Sequence, residues 1–374
     1  MQRNESGKNC ILILGAAGFI GTNLTLRLLK EGKKLVLFDR PGVSWAEAVQ
    51  EAAKAGQARI VSGSFAAPGS GGASAAQEGA EAVPGSGGAS AAQESAETAS
   101  GAAACSVGRG SGGAARSGWR EALPMLDSVD TVYHLISTTC PTNSNRDVAG
   151  EMEENLISTI RFLDACVEAG VKKVVFLSSG GTVYGKQHTG ICREEEEAFP
   201  ITSYGVQKLA IEKMLYLYWE MHGLDYRIVR LSNPYGPYQR PNGVQGVVST
   251  FTYRALAGQS IEVFGDGSVV RDYIYIEDAV EGILKIAEQP GRYRLYNLGC
   301  GQGHTVMDVI GAIEKVLGRK PEVIFRPGRP VDVPVNVLDV SRYEEDFGKP
   351  STAGLEEGIR RLARFYQNSD ILKK

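Results

Sequence analysis

"ILILGAAGFIG", residues 11–21, is the stretch on which the reading of the whole chain turns. Four apolar residues end a buried strand, and Gly15, Gly18 and Gly21 follow at the opening of an amphipathic stretch that begins near Phe19. Glycine at those places permits a tight turn, a close approach of backbone to a ligand, and contact of a helix with a strand. The backbone N–H groups of a helix start, here Phe19 and Ile20, favour an anion. A glycine triplet alone is weak. Asp39 strengthens it by closing the next apolar run, "KLVLF", about 20 residues on, where a carboxylate accepts ribose hydroxyls. The spacing predicts a dinucleotide site built from Gly15, Gly18, Phe19, Ile20, Gly21, Asp39 and Arg40. NAD is preferred, since Arg40 would tolerate a 2′-phosphate but the Asp39 carboxylate would repel it.

Outward from this turn, strand-like runs ("CILIL", "KLVLF", "ARIV", "TVYHLIS", "KKVVFLS") alternate with helical patterns from Phe19, near Ala46 and through "NLISTIRFLDACVEAG". Strands that are apolar throughout and separated by helices belong to a parallel sheet covered on both faces. The expected fold class is α/β, a Rossmann-type doubly wound parallel sheet. Beyond Arg230 the elements shorten, and "IEVFGDG", "RDYIYIEDAVEGILKIAEQ" and "TVMDVIGAIEKVLG" predict a smaller C-terminal α/β lobe with chain crossing back to the sheet. The expected division is 1–65 with 118–232 for the dinucleotide domain and 233–374 for a substrate-binding lobe. Residues 66–117 break the rhythm: they are almost all Gly, Ala and Ser, and "PGSGGASAAQE" occurs at 68–78 and again at 84–94. Without large apolar side chains to offset chain entropy, this segment is expected to be a disordered insertion born of local duplication.

A chain of 374 residues that is 43% hydrophobic can bury one large core or two. Its net charge of −3 is spread over 40 basic and 43 acidic side chains without a basic tract, which argues against a nucleic-acid partner. The opening "MQRNESGKN" is polar, and no stretch approaches the ~20 apolar residues of a membrane span, so a cytoplasmic protein without a membrane partner is expected. Six scattered cysteines without CxxC spacing fit reduced thiols and no metal site. The acidic run "REEEEAFP", 193–200, reads as a solvated loop.

The chemistry-bearing segment is "ITSYGVQKLAIEKML", 201–215, which places Tyr204 and Lys208 four residues apart on one helix face. A phenol with an ordinary pKa of about 10 is a poor base at neutral pH, but a nearby ammonium and a nicotinamide cation both favour the phenolate. Tyr204 then becomes a usable acid/base.

Taken together, these motifs resemble the nucleotide-sugar epimerase/dehydratase group of the extended short-chain dehydrogenases/reductases, of the UDP-glucose (UDP-galactose) 4-epimerase kind. The likeness runs from about Cys10 to the last helix, leaving out the low-complexity segment. It implies that Asn155 supports the active-site backbone, and that Asn233 in "RLSNPYGP", Arg271 in "VVRDYIY", and Arg329 with Asp332 in "RPGRPVDVP" hold the diphosphate and ribose of the substrate. The hydroxyl that assists the tyrosine in the family lies three residues before "VYG", where this chain has Gly180 in "SSGGTVYG". Ser179 or Thr182 is left to replace it, with Ser179 preferred. Dehydratases of the family carry an Asp-Glu pair where this chain has Gly181 and Thr182, which disfavours dehydration. Asn336 falls where the family limits the C2 substituent of the sugar. The resemblance thus implies an NAD-dependent epimerase acting at C4 of a nucleotide sugar, paired as a homodimer through the helices around Asn155 and Tyr204. A reductase or decarboxylase on the same scaffold, and a non-catalytic dinucleotide sensor, stay open.

Overall fold

A computed structural model describes residues 10–65, 123–186, 190–241, 246–328, 333–350 and 352–373. The segment 66–117 expected to be an insertion lies outside the described residues, as do Arg329 and Asp332.

Seven strands form the main sheet: β1 (Cys10–Leu14), β2 (Lys34–Asp39), β3 (Ala58–Ser62), β4 (Val129–His134), β5 (Lys173–Ser179), β6 (Asp225–Leu231) and β7 (Leu295–Leu298). Their order across the sheet is 3-2-1-4-5-6-7, with every neighbour parallel. Alternate residues enter opposite cores, as strand geometry requires. Ile11, Ile13, Leu35 and Leu37 pack with Leu24 and Leu28 of the helix Phe19–Lys30 and with the helix Ile276–Glu288. Leu12, Leu14, Val36 and Phe38 pack instead with Phe162 of the helix Ser158–Ala169 and with Ile211 and Leu215 of the helix Ser203–His222. Burial on both faces is why these strands read as unbroken apolar runs rather than as alternating ones.

A smaller sheet orders Gly303–Thr305, Val270–Tyr275, Val335–Leu338 and Ile191–Cys192, and Asn233–Tyr235 pairs with the other half of Val270–Tyr275. The halves of the chain exchange strands. Ile191–Cys192, between β5 and β6 in sequence, joins the small sheet, while β7, from beyond residue 233, completes the large one. The order reverses at β1/β4, and folds of this kind bind ligands at such a switch point, outside the carboxyl ends of the strands.

The acidic run was expected to be a solvated loop, and Glu194 corrects that: it is buried and accepts the Asn297 N–H at 2.7 Å. Burial raises its carboxyl above the usual range, and that backbone donor pulls it back. Among the described residues no helix is long and apolar enough to cross a membrane, and no cluster of ligating side chains is suited to a metal ion. Cys10, Cys140, Cys166, Cys192 and Cys300 are free thiols.

Candidate active site

The turn after β1 is shaped by steric exclusion. Gly15 adopts φ +81°, and a Cβ there would lie 3.3 Å from the Ile136 nitrogen of the neighbouring strand end. A Cβ on Gly21 would fall 2.2 Å from the Gly15 carbonyl oxygen and 2.8 Å from the Ala16 Cα, so helix and strand touch backbone to backbone. Gly18 caps the helix in extended geometry, with no side-chain cap and no acidic residue in the first turn, which leaves the helix start open to an anion. Asp39, at the end of β2, accepts the Ala17 N–H on Oδ2 at 2.9 Å and the Arg40 N–H on Oδ1 at 2.8 Å. A carboxylate has about four lone-pair sites, so two remain for ribose hydroxyls beside the glycine turn. The residues present therefore fit a dinucleotide: Gly15, Gly18 and Gly21 would leave room for its pyrophosphate, the N–H groups of Phe19 and Ile20 would face it, and Asp39 would take a ribose. Arg40 is exposed, and its backbone N–H donates to Asp39.

Asn155 lies in a single π-helical turn, Glu153–Ile157, that interrupts the helical stretch predicted through "NLISTIRFLDACVEAG". Its Oδ1 accepts the Thr138 N–H at 2.9 Å, while Nδ2 donates to Thr138 Oγ1 at 2.8 Å and to the Glu151 carbonyl at 3.0 Å. The loop after β4 is thereby pinned beside the glycine turn. π-helical turns within helices are frequent at functional sites.

Tyr204 and Lys208 stand on the helix Ser203–His222, whose N-cap Thr202 accepts the Gly205 N–H, while Asn145, at φ +76°, accepts the Ser203 N–H at 2.6 Å. The Lys208 Nζ is buried, lies 5.6 Å from the Tyr204 ring centroid and 4.7 Å from that of Phe176, and donates to the Leu177 carbonyl at 2.9 Å. Burial pushes Tyr204 up to about 12, opposed by a hydrogen bond with Ser179. Burial pushes Lys208 down to about 8, opposed by the Glu212 charge. Both groups are driven toward neutrality, so the lysine alone does not yield the phenolate that the sequence reading attributed to it jointly with a nicotinamide cation. A further positive charge beside the phenol is required.

Ser179 eases the upward shift of Tyr204, and Thr182 does not contribute to it. The Thr182 hydroxyl is buried without a hydrogen-bond partner, and its carbonyl backs onto Gly205. Gly180 is more than a lost hydroxyl: a Cβ there would meet the buried Leu338 side chain at 2.6 Å, and its carbonyl accepts from Asn336 Nδ2 at 3.2 Å. Gly181 is open, with Ser179 Oγ and Asn233 Oδ1 each 3.9 Å from where its Cβ would lie. Asn233 Nδ2 donates to the Asp272 carbonyl at 2.9 Å, which places the Asn233 side chain between the small sheet and the Gly181 loop. Arg271, paired on one side with His304 and on the other with Asn336 in the small sheet, donates from Nη1 to the carbonyls of Val270 and Val333, at 2.9 and 2.7 Å.

Two buried features escaped the sequence reading. One is His134 at the end of β4, ringed by Phe65, Phe162 and Phe176, with Nε2 2.9 Å from Thr159 Oγ1. Burial and the Lys208 charge push its pKa down to about 3, against an ordinary 6.5. The unfolded chain therefore binds this proton first, and stability should fall as pH drops from 6.5 toward about 3. His134→Leu should flatten that slope by on the order of a few kcal/mol across the window, read from urea melts at stepped pH. An unchanged slope would rule this source out.

The other is an ion pair, Glu212 with Arg230, beneath Lys208. Arg230 Nε and Nη2 bond Glu212 Oε1 and Oε2 at 3.1 and 2.8 Å, and both side chains are 4% exposed. The available signals were a glutamate four residues after Lys208 and an arginine inside the apolar run "DYRIVRL".

A profile of the NAD dependent epimerase/dehydratase family matches residues 11–107 and 114–299. The chain is 33% identical over 239 residues to the UDP-glucose 4-epimerase of Mycolicibacterium smegmatis, covering 64% of this chain and 76% of the relative. It is also 33% identical over 240 residues to the dTDP-4-dehydro-6-deoxyglucose reductase of Escherichia coli, covering 63% and 75%. In three dimensions it is similar to the UDP-glucose 4-epimerase of Thermus thermophilus solved with NAD, at a TM-score of 0.75, 26% identity, and 96% and 99% of the two chains covered. The glycine turn with Asp39 at its side, the asparagine-pinned loop and the profile match agree, and the chain belongs to the NAD-dependent epimerase/dehydratase family of enzymes.

Proposed function

We propose that the protein is an NAD-dependent nucleotide-sugar 4-epimerase. The observation that carries this reading is Tyr204 standing 5.6 Å, ring centroid to Nζ, from the buried Lys208, with Ser179 easing the upward shift of the phenol, at a loop that offers Gly181 and Thr182 where dehydration would need two carboxyl groups. A bound nicotinamide dinucleotide would supply a reversible hydride acceptor and a positive ring beside the phenol. Tyr204 takes the proton of the C4 hydroxyl as the sugar is oxidised, and Ser179 shares that hydroxyl through its own hydrogen bond. Lys208 keeps the phenolate's charge compensated. Asn233 and Arg271, with Arg329 and Asp332 added from the family likeness, retain the diphosphate and the nucleoside ribose while the 4-keto hexose turns over, and Tyr204 returns the proton to the C4 oxygen as the hydride that the dinucleotide would hold is taken back on the other face of C4. The apolar side chains of Val206, Leu217 and Met221, 40%, 42% and 60% exposed on the Tyr204 helix, support pairing of two copies along it.

The reductase relative makes the competing outcome specific. Purified protein should interconvert UDP-glucose and UDP-galactose, or their N-acetyl forms, without added reductant, followed by proton NMR. Product that forms only in step with consumed NADPH assigns a reductase instead.

A further inference from the structure

Two successive residues at the end of β5 are tied to the helix that carries Tyr204, and the third acts on Tyr204 itself. The Leu177 carbonyl accepts from Lys208 Nζ at 2.9 Å, Ser178 Oγ donates to Glu212 Oε1 at 2.5 Å, and the Ser179 side chain eases the upward shift of the Tyr204 phenol. Glu212 is in turn held by Arg230, which stands directly opposite Ser178 in the parallel register of β5 and β6. The Arg230 guanidinium also lies 4.8 Å from the ring centroid of Tyr184, whose hydroxyl donates to Asn297 Oδ1 at 2.7 Å. Ser178 and Tyr184 are the two ends of the loop that bears Ser179, Gly180, Gly181 and Thr182.

We propose that the buried Glu212–Arg230 pair is a positioning device: it grips the loop 178–184 at both ends and so sets the Ser179 hydroxyl against Tyr204. The proposal rests on the catalytic reading above. Neither residue reaches the reacting atoms, because Lys208, Ser178 and Tyr184 stand between. Stability alone is a poor reason for such a pair, since buried ion pairs are costly to desolvate and apolar replacements of equal volume are often as stable. The loop itself contains two consecutive glycines and has little conformational preference of its own. A displacement of about 1 Å in a reacting group can cost on the order of 10²-fold in rate, so a loop of this kind needs an external clamp. The pair has a second effect through charge. The groups facing Lys208 are the Tyr204 ring and Glu212 from its own helix, the Phe176 ring and Leu177 carbonyl from β5, and the neutral His134 from β4. Glu212 is the anion among them, and it favours the lysine's proton.

The test uses the full-length protein loaded with NAD and three variants: Ser178→Ala, Glu212→Gln, and the apolar double replacement Glu212→Leu with Arg230→Met. Turnover, KM, thermal melts and the phenolate difference absorbance of Tyr204, assigned against Tyr204→Phe, are measured across pH. Ser178→Ala should lower kcat about tenfold and Glu212→Gln on the order of 10- to 100-fold, with KM and NAD affinity within about twofold. The Tyr204 phenolate should form at higher pH in both, and the alkaline limb of kcat should move to lower pH in Glu212→Gln alone. The double variant should fold, bind NAD and remain slow. Variants that melt normally and keep kcat, the limb and the phenolate titration overturn the proposal. So does failure of all three to fold, Ser178→Ala included, which would assign the network to stability. A wild-type protein that turns over no sugar nucleotide sinks the catalytic reading but not the clamp, because the Tyr204 titration is read without substrate.

Discussion

Tyr204→Phe should lower turnover by about 10²–10⁴-fold, the usual worth of a positioned acid/base, while the protein still melts normally and binds NAD. The substitution removes one oxygen. The ring that packs beside Lys208 stays, so the packing of the helix Ser203–His222 is preserved. What is lost is the phenol that stands beside the buried Lys208 and whose upward shift Ser179 eases. The same variant separates an enzyme from a dinucleotide sensor: a sensor would show wild-type NAD affinity and no activity in either form. Turnover within about tenfold of the wild type would mean that another group carries the proton, and Thr182, with its unpartnered buried hydroxyl, would be examined first.

Gly21→Ala should be among the more damaging single methyl additions at the described residues. Its Cβ would stand 2.2 Å from the Gly15 oxygen and 2.8 Å from the Ala16 Cα, and both neighbours are backbone that no rotamer change can move. The helix Phe19–Lys30 would have to lift from β1, opening the contact of Leu24 and Leu28 with the core on that face. Overpacking in a close-packed interior costs about 1–3 kcal/mol and occasionally more, and backbone against backbone belongs at the upper end. NAD affinity should fall along with the melting temperature, because the helix start that would face the pyrophosphate moves with the helix. Gly32→Ala is the control: Gly32 has open space around it, so only its left-handed backbone, at φ +72°, is strained. Equal effects from the two substitutions would deny any special closeness at Gly21.

The parts of the site that were legible in the sequence are those whose constraint is local. Three glycines around one turn, an aspartate at the next strand end, and a tyrosine and lysine one helical turn apart all announce themselves within a few residues or at a fixed spacing. What stayed hidden depends on residues that meet only after folding. Gly180 looked like a missing oxygen, whereas the space its side chain would need is filled by Leu338, brought there by the small sheet. Glu194 sat in an acidic run and was taken for surface, because nothing nearby in sequence shows that the Asn297 N–H would need an acceptor. Arg230 was invisible as a partner of Glu212, since helix and strand are joined by a turn that gives no hint of which faces meet.

The crossing of Ile191–Cys192 into the small sheet and of β7 into the large one leaves neither half of the chain with a complete ladder of its own. Swinging the lobes apart like a clamshell would break parallel pairing on two separate seams, at Val337–Leu338 with Ile191–Cys192 and at β7 with β6. On the proposed reading, a sugar nucleotide would therefore enter and leave by the rearrangement of surface segments around a braced interior, and the speed of those segments would govern how fast product departs.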